Sequence, residues 1–133
     1  MRYKKKLLLL AFLAGAITFC SSAIHADEDR FVNLKVLPKN ISSAELSRIM
    51  VDDFTDGLGV SCNFCHAENK DSQRPDYASD ENPKKEAARE MMRMVLKINK
   101  QFFMVKHPKL GSSQLVVTCI SCHHGRSFPY PPE

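Results

Sequence analysis

The sequence predicts an all-α, loop-rich fold, and three observations support this class. Two amphipathic helical segments begin at recognisable N-caps, Ser42 and Asn82. Each segment is followed by the same pentad, C-x-x-C-H, at residues 62–66 and at residues 119–123. The connecting segments are polar and rich in turn-forming residues, without a strand–helix alternation around the cysteines. With 133 residues, the chain is long enough for one small domain.

The N-terminus has the features of an export signal. Four cations lie within residues 2–6, and the apolar stretch Leu7–Cys20 follows without interruption. Small residues then predict cleavage after Ala26, with Ala23 as the alternative position. The prediction divides the chain into a signal peptide, residues 1–26, and a single domain, residues 27–133, that works in the periplasm or another extracytoplasmic space.

Two other interpretations of this segment fit the sequence less well. An uncleaved membrane anchor needs roughly 18 apolar residues to span a bilayer, and the stretch Leu7–Cys20 is shorter. Lipidation of Cys20 would follow a small residue, whereas bulky Phe19 precedes it. We therefore expect an exported protein and leave association with a membrane open.

The charge distribution excludes a protein that coats nucleic acid. The formal net charge is +4, but four of the cations belong to residues 2–6, and no acidic residue occurs before Asp27. Without residues 1–26, basic and acidic side chains balance at 15 each. A nucleic-acid-binding domain would instead carry a marked excess of Lys and Arg.

The first helix is predicted from Ser42, which together with Glu45 forms a capping-box pattern. Gly57 and Gly59 should end this helix a short turn before the first pentad. Its apolar side chains recur at helical spacing. They are Leu46, Ile49, Met50, Phe54 and Leu58.

The second helix should begin with Asn82 as N-cap and Pro83 at the first helical position, and extend to about Phe103. A basic face opposite the apolar stripe would suit docking of an acidic redox partner or, more simply, a solvated surface. The predicted apolar stripe is Ala88, Met91, Val95, Ile98 and Phe102, and the basic face is Lys85, Arg89, Arg93 and Lys97.

The two pentads predict covalent attachment of two c-type haems. Two thiols three positions apart can bond to the two vinyl groups on one porphyrin edge, and the following imidazole then lies beneath the iron. A disulfide or a structural zinc would leave the two histidines unexplained. The zinc interpretation also conflicts with the 53 residues between the pairs, against about 15 to 20 in a zinc ribbon. The predicted attachment residues are Cys62, Cys65 and His66 in the first pentad and Cys119, Cys122 and His123 in the second.

The sixth iron ligand separates an electron carrier from a protein that binds or activates small molecules. His66 and His123 are the expected proximal ligands, and methionine suits the opposite position. For the first haem we predict Met50, on the apolar side of the first helix. For the second we predict Met91, with Met94 as the runner-up; the other donors considered are Met92, Met104, His107 and His124.

Four segments of this chain resemble the cytochrome c subunit of photosynthetic reaction centres. They are Arg48–Met50, Leu58–His66, Arg89–Met94 with Ile98–Asn99, and Val117–Arg126. That family carries four haems as two related halves, and this chain resembles one half across about residues 31–128. The resemblance implies a helix before each pentad with a methionine ligand on it, which by position marks Met50 and Met91. His107 lies near the place of a histidine that ligates a further haem, and it stays unassigned here.

The expected function is therefore that of an exported dihaem cytochrome, which carries electrons between redox partners and is not an enzyme. Two large apolar cofactors would complete a core that is marginal at this chain length. The first alternative is a small haem peroxidase or gas-binding protein with one open iron. The second is a haem subunit of a larger membrane-bound redox complex. No nucleic-acid partner is expected.

Overall fold

A computed structural model describes Tyr3 and residues 31–129. The predicted export signal and its cleavage site lie outside the described residues. The described chain is helical and loop-rich as expected, with one short antiparallel ribbon in which Ala67 pairs with Asp76. No helix among the described residues is both long enough and apolar enough to cross a membrane. The elements are α1 (Ser43–Arg48), a π-helix (Ile49–Asp56), a 3₁₀ turn (Cys62–Phe64), β1 (Ala67–Glu68), β2 (Pro75–Asp76), α2 (Pro83–Phe102) and α3 (Cys119–His123).

The first helix begins as predicted and then changes its winding. Ser42 is the N-cap, and its Oγ accepts a hydrogen bond of 3.2 Å from the backbone N–H of Glu45. From Ile49 the α-helix continues as a π-helix, where the sequence predicted regular α-helical periodicity. The Thr55 hydroxyl donates to the Met50 carbonyl at 3.2 Å, which supports the wider turn. Such segments are rare and are frequent at functional sites.

Helix α2 also begins as predicted, with the Asn82 side chain accepting from the backbone N–H of Lys84 at 3.1 Å. The predicted apolar stripe, however, coincides with the buried face only in part: Val95 is buried, and Ala88 and Ile98 are partly buried. Met91 is 44% exposed, and Phe102 is also exposed. The rest of the stripe was wrong because the prediction counted only apolar residues as buried. It therefore left out Arg89 and Asn99, whose polar groups find partners inside the protein. The buried residues of α2 are Arg89, Met92, Val95 and Asn99.

Three of the four side chains on the predicted basic face form ion pairs: Lys85, Arg89 and Arg93. Arg89 is only 6% exposed and pairs with Asp80 at 2.9 Å and with Glu86 at 2.8 Å. Arg93 pairs with Glu86 and Glu90. Lys85 donates to two carbonyls of the loop before α2 and pairs with Asp80 at 3.5 Å. Lys85 and Arg89 therefore tie α2 to the loop before it, whereas Arg93 pairs within the helix and Lys97 is exposed.

The core is small and lies where α2 meets the N-terminal segment and the loop after α2. Ile49 at the start of the π-helix is almost fully enclosed. Partly buried residues, among them Met50 and Phe54, pack around the core. Its buried apolar members are Leu37, Ile41, Ile49, Met92, Val95 and Leu110.

Candidate functional site

The first pentad lies in the wall of a cavity of about 710 Å³. The 3₁₀ turn folds the pentad back on itself, since the N–H of His66 donates to the Cys62 carbonyl at 3.0 Å. Cys62, Cys65 and His66 all line the cavity, and Met50 of the π-helix lines it too. Two thiols, an imidazole and a thioether, the four side chains that the sequence predicted for one haem, thus border the same space.

The imidazole of His66 is partly buried and packs against Tyr77. After His66 the chain forms β1, turns, and returns through β2, which brings the Tyr77 ring edge-on to the imidazole with the ring centres 5.0 Å apart. His66 Nδ1 is buried without a hydrogen-bond partner in the described structure. Burial, followed by the nearby cations Lys85 and Arg89, lowers the pKa of His66. A lowered pKa favours the neutral imidazole, the form that binds a metal.

The second pentad forms the short helix α3. The Thr118 side chain accepts from the backbone N–H of Ser121, and the Thr118 N–H donates to the Ser121 hydroxyl at 3.1 Å. His123 Nδ1 lies 2.9 Å from the carbonyl oxygen of Arg126. Because a carbonyl can only accept, Nδ1 carries the proton and Nε2 of His123 is free to bind a metal.

The second cavity is smaller, about 150 Å³, and contains the second pentad with its candidate ligands. Cys119, Cys122 and His123 line it, and so do Met91 and Met94. The stripe that was predicted to face the core therefore faces this cavity in part, which explains the partial exposure of Met91. The geometry keeps both Met91 and Met94 as donors near the second pentad.

The two cavities are neighbours that share one wall. Four side chains line both cavities, and Met92 among them is a buried core residue. The backbone also joins the two pentads, because the N–H of Gly125 donates to the Gly57 carbonyl at 3.1 Å. The two candidate sites thus belong to one packed unit. The shared side chains are Phe54, Cys65, Ala88 and Met92.

Two of the four thiols, Cys65 and Cys119, lack the lowered pKa of a catalytic redox pair. All four are unpaired in the described chain. Burial, with Asp53 nearby, raises the pKa of the Cys119 thiol to about 11, and burial also raises the pKa of Cys65. A catalytic redox pair would need a thiol pKa lowered below its ordinary value. Within residues 31–129, no three His, Cys, Asp or Glu side chains gather as a metal-binding group.

Three of the four remaining candidate donors line neither cavity. Met104, just past α2, is 84% exposed. His107 and His124 are also exposed, and neither contributes to a cavity wall. Met92 lines both cavities but belongs to the core.

The residues present fit haem c. Each pentad offers two free thiols and an imidazole, and a methionine lines the same cavity. This set of donors is the one that a covalently attached haem requires.

Sequence reasoning missed several residues that shape the site. Tyr77 reaches His66 only through the β1–β2 ribbon, and Arg89 is buried only because Asp80 and Glu86 pair with it. Asn99 lies in the segment that resembles the family, but its burial has no signal in the hydrophobic pattern. For Arg89 and Asn99, the position on α2 relative to Met92 and Val95 could have indicated burial, but only once the buried face is known. Tyr77 has no such signal in the sequence.

Comparison with known proteins agrees with this chemistry. The family model for the photosynthetic reaction centre cytochrome c subunit matches residues 11–131. The chain is 38% identical over 93 residues to cytochrome c-554 of Chloroflexus aurantiacus, covering 70% of this chain and 20% of that protein. It is 34% identical over 101 residues to the photosynthetic reaction center cytochrome c subunit of Rubrivivax gelatinosus, covering 74% of this chain and 24% of that protein.

The chain thus spans about a fifth to a quarter of the length of these two curated relatives. No solved structure gives a significant match. The family model nevertheless covers most of the sequence, including both pentads and the helices before them. On this match, the chain belongs to the photosynthetic reaction centre cytochrome c subunit family.

Proposed function

We propose that this protein is an exported electron carrier with two covalent haems c, one at each pentad. The observation that carries the proposal is that each C-x-x-C-H pentad lines a cavity that at least one candidate methionine also lines. Family membership supports the coarser part, since cytochrome c subunits bind haem covalently and transfer electrons. We do not propose an enzyme, because a cytochrome c subunit transfers electrons without converting a substrate.

The residues that would hold the groups follow from the two cavities. Cys62 and Cys65 would form the thioether links in the first cavity, and His66 and Met50 would be the iron ligands. In the second cavity the corresponding set is Cys119, Cys122, His123 and Met91. When bound, haem supplies an iron that alternates between the ferric and ferrous states by one electron.

The chain's own contribution is to orient and enclose these donors. The carbonyl of Arg126 fixes the proton on His123 Nδ1, so that Nε2 is presented to the cavity. Tyr77 limits the rotation of the His66 ring from one side. Apolar walls around both cavities exclude water, which limits the change in hydration when the iron gains or loses a charge.

Partners and location extend this proposal. The relative from Rubrivivax gelatinosus is, by its name, a reaction-centre subunit, and a membrane-bound electron-transfer complex is therefore the kind of partner we propose. A second redox protein on the same side of the membrane would exchange electrons with the protein as its donor or acceptor. The predicted export signal agrees with the extracytoplasmic location in which c-type haem is attached.

Removal of each thiol pair tests the proposal. In a host that attaches haem to exported proteins, we expect Cys62→Ser/Cys65→Ser and Cys119→Ser/Cys122→Ser each to halve the haem absorbance per molecule. A matched control is Ser121→Ala, which alters the second pentad without removing a thiol. A thiol pair whose loss leaves the haem content unchanged would contradict the assignment of that pentad.

A further inference from the structure

We infer that Asn82 and Asn99, at the two ends of α2, are positioning residues that each hold one haem-binding pentad in place. The inference rests on the proposed two-haem function and extends it. It assigns to α2 a second task besides carrying the candidate methionine ligands. Through these two asparagines the helix sets the position of both attachment segments relative to the methionines.

Asn99 ties the C-terminal end of α2 to the segment that leads into the second pentad. Its side chain is fully buried, at 0% exposure, and both ends of the carboxamide are used. Nδ2 donates to the carbonyls of Val95 at 2.9 Å and of Val117 at 2.7 Å. Oδ1 accepts from the backbone N–H groups of Val116 at 2.7 Å and Val117 at 3.2 Å.

These bonds fix a stretch that no regular element supports. Val116 and Val117 belong to neither a helix nor a strand, and Cys119 follows them by two positions. Without Asn99, three partly buried backbone groups just before the pentad would lose their hydrogen-bond partners. The loss of partners at partly buried polar groups is unfavourable, so Asn99 helps to hold this segment in place.

Asn82 makes the corresponding contact at the other end of α2. Its Nδ2 donates to the carbonyl of Phe64, inside the first pentad, at 3.0 Å. The same side chain caps the helix through Oδ1. The ammonium of Lys84 in the first turn lies 3.7 Å from the centre of the Phe64 ring, which adds a cation–π contact to the same residue.

A single rigid helix therefore connects the two pentads. Seventeen residue steps separate the asparagines, which is about 25 Å along an α-helix. Met91 and Met94 lie between them on the same helix. Phe64 and Lys84 also line the second cavity, so a change at either asparagine should disturb the haem at its own end more than the other haem.

The test uses one neutral substitution at both positions in the intact holoprotein. Serine at position 82 can still cap the helix through its hydroxyl, but it is too short to reach the Phe64 carbonyl. Serine at position 99 loses the contacts to Val116 and Val117. Asn40→Ser, in the exposed turn before α1, is the matched control.

Redox titration followed by absorbance provides the first readout. We expect two midpoints in the wild type, and Met50→Ala identifies that of the first haem by lowering it. Asn82→Ser should lower the first midpoint and Asn99→Ser the second, because a loosened pentad admits water, which favours ferric iron. A general loss of stability would not move one midpoint alone.

Hydrogen exchange gives a local readout. Asn99→Ser should raise the exchange rate of the peptide around Val116 and Val117 by about tenfold, whereas Asn82→Ser should leave it unchanged. If Asn99→Ser yields too little folded protein, Asn82→Ser carries the test.

The inference is overturned if the folded variants keep both midpoints, or if either substitution shifts both midpoints equally. Wild-type protein that shows no haem midpoints would instead contradict the proposed function itself. The two failures are therefore distinguishable.

Discussion

Gly59 and Gly125 pack backbone against backbone, so closely that a Cβ atom on Gly59 would collide with the carbonyl oxygen of Gly125. Gly59 has a φ of 65° and Gly125 a φ of 75°, both in the left-handed region that favours glycine. This contact joins the chain just before the first pentad to the chain just after the second. The proposed dihaem unit therefore requires glycine at position 59, where a side chain would collide with the backbone.

Gly59→Ala should destabilise the protein by about 1–3 kcal/mol, because it adds left-handed strain and a steric clash to a close contact. Gly57→Ala is the matched control. Gly57 has a helical φ of −66°, and a Cβ there meets only ordinary contacts of 3.4 Å or more. Chemical denaturation of both variants measures the difference. Equal stability of the two variants would contradict the described packing.

Asp80 should stabilise the fold at neutral pH and cease to do so in acid. A hydrogen bond from Lys35, followed by those from Asn33 and Arg89, holds the pKa of Asp80 well below its usual range. A carboxyl whose pKa is lowered by folding stabilises the folded state above its unfolded pKa of about 3.9 and loses this effect as pH falls further.

We therefore expect Asp80→Asn to lower the melting temperature by a roughly constant amount between pH 5 and pH 8. The difference in melting temperature between wild type and variant should shrink below about pH 4. Asp71→Asn removes the same charge from the exposed turn between β1 and β2, and should have little effect. Thermal melts across this pH range provide the measurement. A difference that grows on acidification would refute the role given to Asp80.

Met50→Ala should open the first iron and leave the second closed. Met50 lines the cavity of the first pentad, and loss of its thioether leaves a position free for an added ligand. Half of the haem should then bind carbon monoxide, as seen in the absorbance spectrum of the reduced protein. The control Met104→Ala changes an exposed residue and should bind no carbon monoxide. If Met50→Ala also binds no carbon monoxide, Met50 is not the ligand.

Met91→Ala and Met94→Ala separate the two candidates at the second iron. Both side chains line the second cavity, and we expect only Met91→Ala to weaken the far-red absorbance of methionine-ligated ferric haem and to admit carbon monoxide. The spectrum of each ferric variant measures the outcome. An open iron in Met94→Ala with an unchanged Met91→Ala would reverse the assignment.

Local signals in the sequence predicted the helix starts correctly. Ser42 and Asn82 cap their helices, because short polar side chains satisfy the free N–H groups of a first turn. The pentads could be located because attachment chemistry demands a fixed spacing. The assignment of Met50 and Met91 as ligands stays a prediction, although each lines the cavity of its pentad.

The hydrophobic pattern could not reveal which face of α2 is buried. Arg89 and Asn99 are enclosed because partners distant in sequence satisfy their polar groups. The apolar side chain of Met91 is instead half exposed toward a cavity, since cofactor sites require apolar residues outside the core. The π-helix at Ile49–Asp56 likewise has no local sequence signal, because a widened turn is stabilised by its surroundings.

The intact mass of the exported protein, measured after expression in a host that attaches c-type haem, tests the central claim most directly. We predict the mass of a chain cleaved after Ala26, or after Ala23, plus two haems. A mass equal to the processed amino acids alone, or to these with a single haem, would contradict the account.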